Sequence, residues 1–145
     1  MKAISLLLFT LFLGKSCNHA TQNDIGTAMI QYTANSRGYH LNIIVANQKA
    51  SVSQGRGTEN PTSELAISEA DWTALVGYFQ KVNLKELPNL KDPTQKRFYD
   101  GAAIAHLKIR YQDTDYDTVD FDHGNPPAAI EMLVNKIVAL AKTEE

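Results

Sequence analysis

The residues best suited to chemistry gather in the last third of the chain. Arg97, Asp100, Asp122 and His123 supply a guanidinium, two carboxylates and an imidazole. Such a set can grip a carboxylate-bearing ligand through the guanidinium or move a proton through the imidazole. A hairpin would return Asp122-His123-Gly124-Asn125 beside residues 102–105, and so close to Arg97, Tyr99 and Asp100. A helix opening at Asn125 would add free N–H groups that favour an anion. The structural expectation is that Arg97 clamps Asp100 or Asp122. The functional one is a small polar pocket working through His123.

Other candidates are weaker. Asp113, Asp115 and Asp117 form a D-x-D-x-D run like the start of a calcium loop. The sixth position is then Thr118 where Gly is needed, and the twelfth is Gly124 where a bidentate Glu is needed. Three acids at a hairpin tip are expected to be solvated, with no metal. Gly55-Arg56-Gly57 is too short for a phosphate loop, and no Ser sits in a nucleophile elbow. His19 and His40 lack ligand partners at useful spacing. No cofactor is expected.

The elements that position these residues follow from hydrophobic periodicity. Strands are predicted over 27–34, 39–46 and 49–54, with Asn35-Ser36-Arg37-Gly38 as a four-residue turn setting Tyr32 opposite Leu41 and Ile30 opposite Ile43. Residues 55–63 read as a polar loop. Ser68 caps a helix whose stripe is Trp72, Leu75, Val76, Phe79 and Val82. The connection 84–101 is punctuated by Pro88 and Pro93, with Leu84, Leu87 and Leu90 as its apolar anchors.

A hairpin of 102–111 and 117–123 follows, looped at Asp113-Thr114-Asp115. It pairs Ile109 with Val119 and Leu107 with Phe121, and on the other face Lys108 with Asp120, His106 with Asp122 and Arg110 with Thr118. The last helix starts from Asn125 as N-cap with Pro126 first, and buries Ile130, Leu133, Val134, Ile137 and Ala141. The order βββ-α-ββ-α implies an α+β fold. Its economical packing is two layers, a mostly antiparallel sheet of about five strands with both helices on one face.

The N-terminus carries the targeting information. Lys2 precedes an eleven-residue apolar run, residues 3–13. As a helix this run spans about 16 Å, half a bilayer core, which reads as a secretory signal and not as a span. Leu13-Gly14-Lys15-Ser16-Cys17 resembles a relaxed lipobox, with small residues at Gly14 and Ser16 and Lys15 as its departure. Cys17 is the only cysteine, so no intramolecular disulfide can form. Residues 1–16 are thus expected to be a lipoprotein signal peptide, Cys17 the acylated residue, 17–26 a tether and 27–145 one domain. Cleavage removes Lys2 and Lys15 and no acid, moving the formal charge from −2 to −4. A mildly acidic chain argues against a nucleic-acid partner.

Several segments together resemble the small uncharacterised lipoproteins of Bacteroidetes-type bacteria. They are the lipobox, Ser36-Arg37-Gly38-Tyr39, the Trp72 helix, Pro93-Thr94…Arg97…Asp100-Gly101-Ala102 and Phe121-Asp122-His123-Gly124-Asn125-Pro126-Pro127. The resemblance implies a cell-envelope location, held to the membrane by lipid. The absence of acids in Asn18-His19-Ala20-Thr21 points to the periplasm-facing side of the outer membrane. It implies no activity.

Two functions stay open. One is a non-enzymatic binding or inhibitor module that presents its sheet face or residues 84–101 to an envelope protein or a small anionic ligand. The other is a small hydrolase-like enzyme using Arg97, Asp100, Asp122 and His123. A filled cluster beside a broad open sheet favours the first, a deep pocket the second.

Overall fold

Alternation of apolar and polar side chains builds the sheet, and a computed structural model describes it over residues 24–56 and 60–142. The expected signal peptide, Cys17 and residues 17–23 of the expected tether lie outside the described residues. Seven strands run β1 Met29–Ser36, β2 Tyr39–Ala46, β3 Lys49–Gly55, β4 Thr62–Ala66, β5 Ile104–Tyr111, β6 Thr114–Asp117 and β7 Phe121–Asp122. Helix α1 covers Glu69–Gln80 and α2 covers Glu131–Ala141. The antiparallel order is β4-β3-β2-β1-β5-β6, with β7 also on β5.

The fold is the expected two-layer α+β arrangement. Ile30, Tyr32, Ile43, Leu107 and Phe121 from the sheet form one core with Leu75 and Phe79 of α1 and Leu133, Val134 and Ile137 of α2. Ser68 caps α1 by accepting from the Asp71 N–H, as its position predicts. Leu84 and Leu87 are buried under the long connection and Leu90 packs against the core, so these anchors are real. The opposite sheet face, including Gln31, Thr33, Asn42, Ser51 and Ser53, has no helix over it and is half-buried.

Several expectations need correction. The β1–β2 turn has two residues, Arg37 and Gly38, not four. Ser36 therefore faces Tyr39, and Tyr32 faces Ile43 instead of Leu41. Gly38 takes the positive φ that a tight turn demands. The slip is two residues, so each side chain keeps its face. Part of the polar loop 55–63 is strand: Gly55 ends β3, and β4 takes in Thr62 and Ser63. A Thr-Ser-Glu-Leu-Ala edge strand has too little apolar alternation to announce itself. Residues 24–26 are not free tether, since Ile25 is buried and the Asp24 N–H donates to Tyr111 Oη.

The second hairpin departs most. Its loop is Gln112-Asp113, both at positive φ, which puts Ile109 opposite Tyr116 and Lys108 opposite Asp117. Phe121 then faces Ala105, not Leu107. The two registers differ by one, so Val119 and Asp120 together oppose His106 as a β-bulge. Val119 is 42% exposed instead of core. Buried Thr118 replaces a ladder carbonyl here, its Oγ1 accepting from the Leu107 N–H at 3.1 Å while its own N–H donates to the Leu107 carbonyl.

Helix α2 also starts later than expected. Asn125 is no N-cap: its N–H closes a turn onto the Asp122 carbonyl, and Gly124 supplies the positive φ of that turn. Pro127 holds extended backbone, so helical turns begin only at Ala128.

The bulge makes a sharp test. Replacing Thr118 by Val keeps the volume but strands the Leu107 N–H, and should cost about 2 kcal/mol in urea denaturation. Val119→Thr, at an exposed position, should change stability by less than about 0.5 kcal/mol. Equal effects would contradict the bulge.

Candidate functional site

The connection after α1 cannot run as a helix, because Pro88 and Pro93 interrupt it. It forms a 3-10 turn at Leu84–Asn89, a second at Lys96–Tyr99, and passes over the sheet edge at β7. Asp122 lies opposite Ile104, on the face away from the helices, yet its side chain is fully buried. The covering segment supplies the reason. Asp122 Oδ2 accepts from Thr94 Oγ1 at 2.6 Å and from the Lys96 N–H at 2.6 Å. Asp122 Oδ1 accepts from the Arg97 N–H and from Arg97 Nη1, both at 3.1 Å.

A carboxylate has about four lone-pair sites, and all four are taken. Burial alone would push this acid up; the Thr94 hydroxyl, the two backbone N–H groups and the guanidinium outweigh it and hold its pKa at about 2. Asp122 therefore has no lone pair left for a substrate proton or a metal. Arg97 is equally engaged: Nη2 lies 2.8 Å from Asp92 Oδ2, Nη1 also donates to the Thr94 carbonyl, and the guanidinium sits 4.5 Å over the Phe98 ring.

His123 is the next residue, and alternation turns it elsewhere. Its N–H donates to the Ala103 carbonyl, and its Nδ1 lies 2.7 Å from Tyr32 Oη. The ring centroid is 5.9 Å from that of Tyr32 and 5.8 Å from that of Tyr39. Burial and the Lys142 charge lower the His123 pKa, which favours the neutral ring, and the tautomer of that ring sets the direction of its hydrogen bond with the tyrosine hydroxyl. Burial and nearby Tyr39 raise the Tyr32 pKa, which keeps that hydroxyl protonated. Asp100 is exposed, ends the second 3-10 turn in a left-handed conformation, and lines an open depression of about 320 Å³ with Ser36, Arg37 and residues 101–103.

The four candidate residues are thus not one site. Arg97 and Asp122 form a closed structural clamp, His123 belongs to an aromatic pair, and Asp100 stands apart. Sequence reasoning missed Thr94, Asp92 and Tyr32. The signal for Tyr32 was present, since a core tyrosine needs a partner for its hydroxyl. Thr94 and Asp92 had none, because a threonine and an aspartate flanking a proline look like ordinary loop.

The bulge rewrites the expected charge pairs as well. His106 meets Asp117 at 3.0 Å and Asp120 at 3.1 Å, not Asp122. Lys108 pairs with Asp115 at 3.0 Å in place of Asp120. Arg110 grips Asp115 by two bonds, 2.6 and 2.9 Å, where Thr118 was expected. The aspartates of the D-x-D-x-D run are divided between this network and the turn, and no metal-binding cluster exists among the described residues.

Comparison of the chain with protein families, with curated proteins and with solved structures finds no match.

The clamp predicts acid behaviour with a definite sign. The folded-state pKa of Asp122 lies below its ordinary 3.8, at about 2. Its stabilisation is complete above the unfolded value and is lost as pH falls through the folded one. Urea denaturation from pH 6 to about pH 2 should show this loss in the parent chain and not in Asp122→Asn. At neutral pH Asp122→Ala should cost about 3 kcal/mol, whereas Asp100→Asn should be neutral. An unchanged acid profile in Asp122→Asn would refute the clamp.

Proposed function

We propose that this chain is an envelope lipoprotein, tethered through acylated Cys17, whose domain binds a partner without catalysis. The observation that carries the reading is the closed Asp122 carboxylate. Both of its oxygens are doubly hydrogen-bonded and the side chain has no exposure. The best acid–base candidates are consumed in holding the connection to the sheet, and His123 spends Nδ1 on Tyr32. A hydrolase-like mechanism that relied on Asp122 or Arg97 would find both already engaged. What the domain offers outward is surface: a sheet face with no helix over it, and the connection stapled along its edge.

The anchoring half rests on the sequence. A short apolar run, small residues before a single cysteine and the resemblance to small envelope lipoproteins support it. Among the described residues no helix is long and apolar enough to cross a membrane. Two or more acyl chains on Cys17 would hold the protein stably, where one would not.

Expression of the parent chain should place it in the membrane fraction, with lipid on Cys17 shown by mass spectrometry. Cys17→Ala should yield soluble or unprocessed protein. Parent protein that is soluble and carries no lipid on Cys17 would contradict the anchor.

A further inference from the structure

We infer that β4 is a self-association edge, at which two copies of this chain join antiparallel across a twofold axis at Leu65. The two sheets then become one. This goes beyond the binding reading, and it leaves the open sheet face of both copies free.

Backbone geometry supplies the first observation. β4 is the last strand on its side of the sheet and pairs with β3. The Ile67 N–H donates to the Gln48 carbonyl, and the register continues from that pair to Leu65 with Ala50 and Ser63 with Val52. Antiparallel bonding alternates, so Thr62, Glu64 and Ala66 aim their N–H and C=O groups away from β3. No backbone group meets them from that side among the described residues. Such a row of open donors and acceptors is a template for another strand. The opposite edge is guarded, because β6 is short, carries Asp115 and Asp117, and leads into the bulge. β4 has no lysine, proline or bulge to turn a partner away.

Charge selects a second copy as the occupant and fixes its register. Antiparallel registers that keep both helix layers on one side are centred on residue 63, 64 or 65. Centring on Glu64 sets it directly against the partner's Glu64, a like-charge pair. Centring on Ser63 sets Glu64 against the partner's Thr62, whose neighbour on β3 is the uncharged Ser53. Centring on Leu65 pairs it with the partner's Leu65, Cα atoms about 4.5 Å apart, and extends the apolar row that Ala50 begins. Glu64 then faces the partner's Ala66, whose neighbour on β3 is Lys49. Two strand spacings, about 10 Å, separate Glu64 from the partner's Lys49. Only an alanine methyl stands between them, and two long side chains close that gap. Both residues are exposed, and neither has an ion pair among the described residues. The twofold axis makes the contact twice. Backbone bonds between residues 64 and 66 of the two copies supply the affinity, and the exposed charges choose the register.

The experiment combines charge reversal with cysteine linking, both on the full chain. Purified in detergent, the parent chain should sediment as a concentration-dependent dimer. Glu64→Lys and Lys49→Glu should each weaken that dimer by at least about tenfold, with circular dichroism showing an unchanged fold. The double variant, which restores opposite charges, should recover it. In cells, oxidation should link copies carrying Leu65→Cys by a disulfide, and the parent chain reports any link through Cys17. Copies carrying Ser63→Cys should stay unlinked, because Ser63 then faces the partner's Ile67. A monomer at every concentration, a link at position 63 instead of 65, or a dimer indifferent to both charge reversals would overturn the proposal. A disulfide from position 65 to a different protein, with no self-link, would overturn the second copy as occupant in favour of a foreign strand.

Discussion

A single buried carboxylate couples the two halves of this domain. Asp122 sits on a strand of two residues, too short to hold its place by ladder bonds alone. Across it lies a segment with two prolines and only 3-10 turns, which cannot satisfy its own backbone. Each solves the other's problem. The carboxylate takes up the Lys96 and Arg97 N–H groups, and the segment shields it from water. Removing a charge from water is costly, and only this complete set of charge-assisted donors offsets it. The position of Phe98 and Tyr99 follows from the same bonds, because they continue the turn that Asp122 holds.

The parts of the fold that depend on side-chain period were legible in the sequence. Both helices, the faces of β1, β2 and β5, the leucine anchors and the two-layer packing follow from apolar spacing alone. Register was not legible, because turns with the same parity give the same faces. Arg37-Gly38 and the four-residue alternative both keep Tyr32 and Ala34 inside, so alternation could not choose between them. The second hairpin combines an even turn with a one-residue bulge, and the pattern Val119-x-Phe121 looked like a regular strand. The Thr118 hydroxyl standing in for a carbonyl is a tertiary solution with no local signature.

The candidate site was legible as a neighbourhood and not as a mechanism. Topology brings Arg97 close to Asp122, and opposite charges near a sheet edge pair as expected. Which oxygen accepts which donor depends on Pro93 and Thr94 arriving from the other side of the loop. His123 was drawn into the same group by adjacency in sequence. Strand alternation instead sends it to Tyr32, and the two neighbours serve different parts of the structure.

Hydrogen exchange at the Lys96 and Arg97 amides tests the coupling most directly. These amides lie in a loop, where exchange is normally fast, and only the Asp122 carboxylate protects them. They should exchange as slowly as the Leu107 amide in the sheet, through opening of the whole domain, and should become fast in Asp122→Asn while Leu107 stays slow. Fast exchange at both amides in the parent chain, beside a protected Leu107, would show that the carboxylate does not hold the loop.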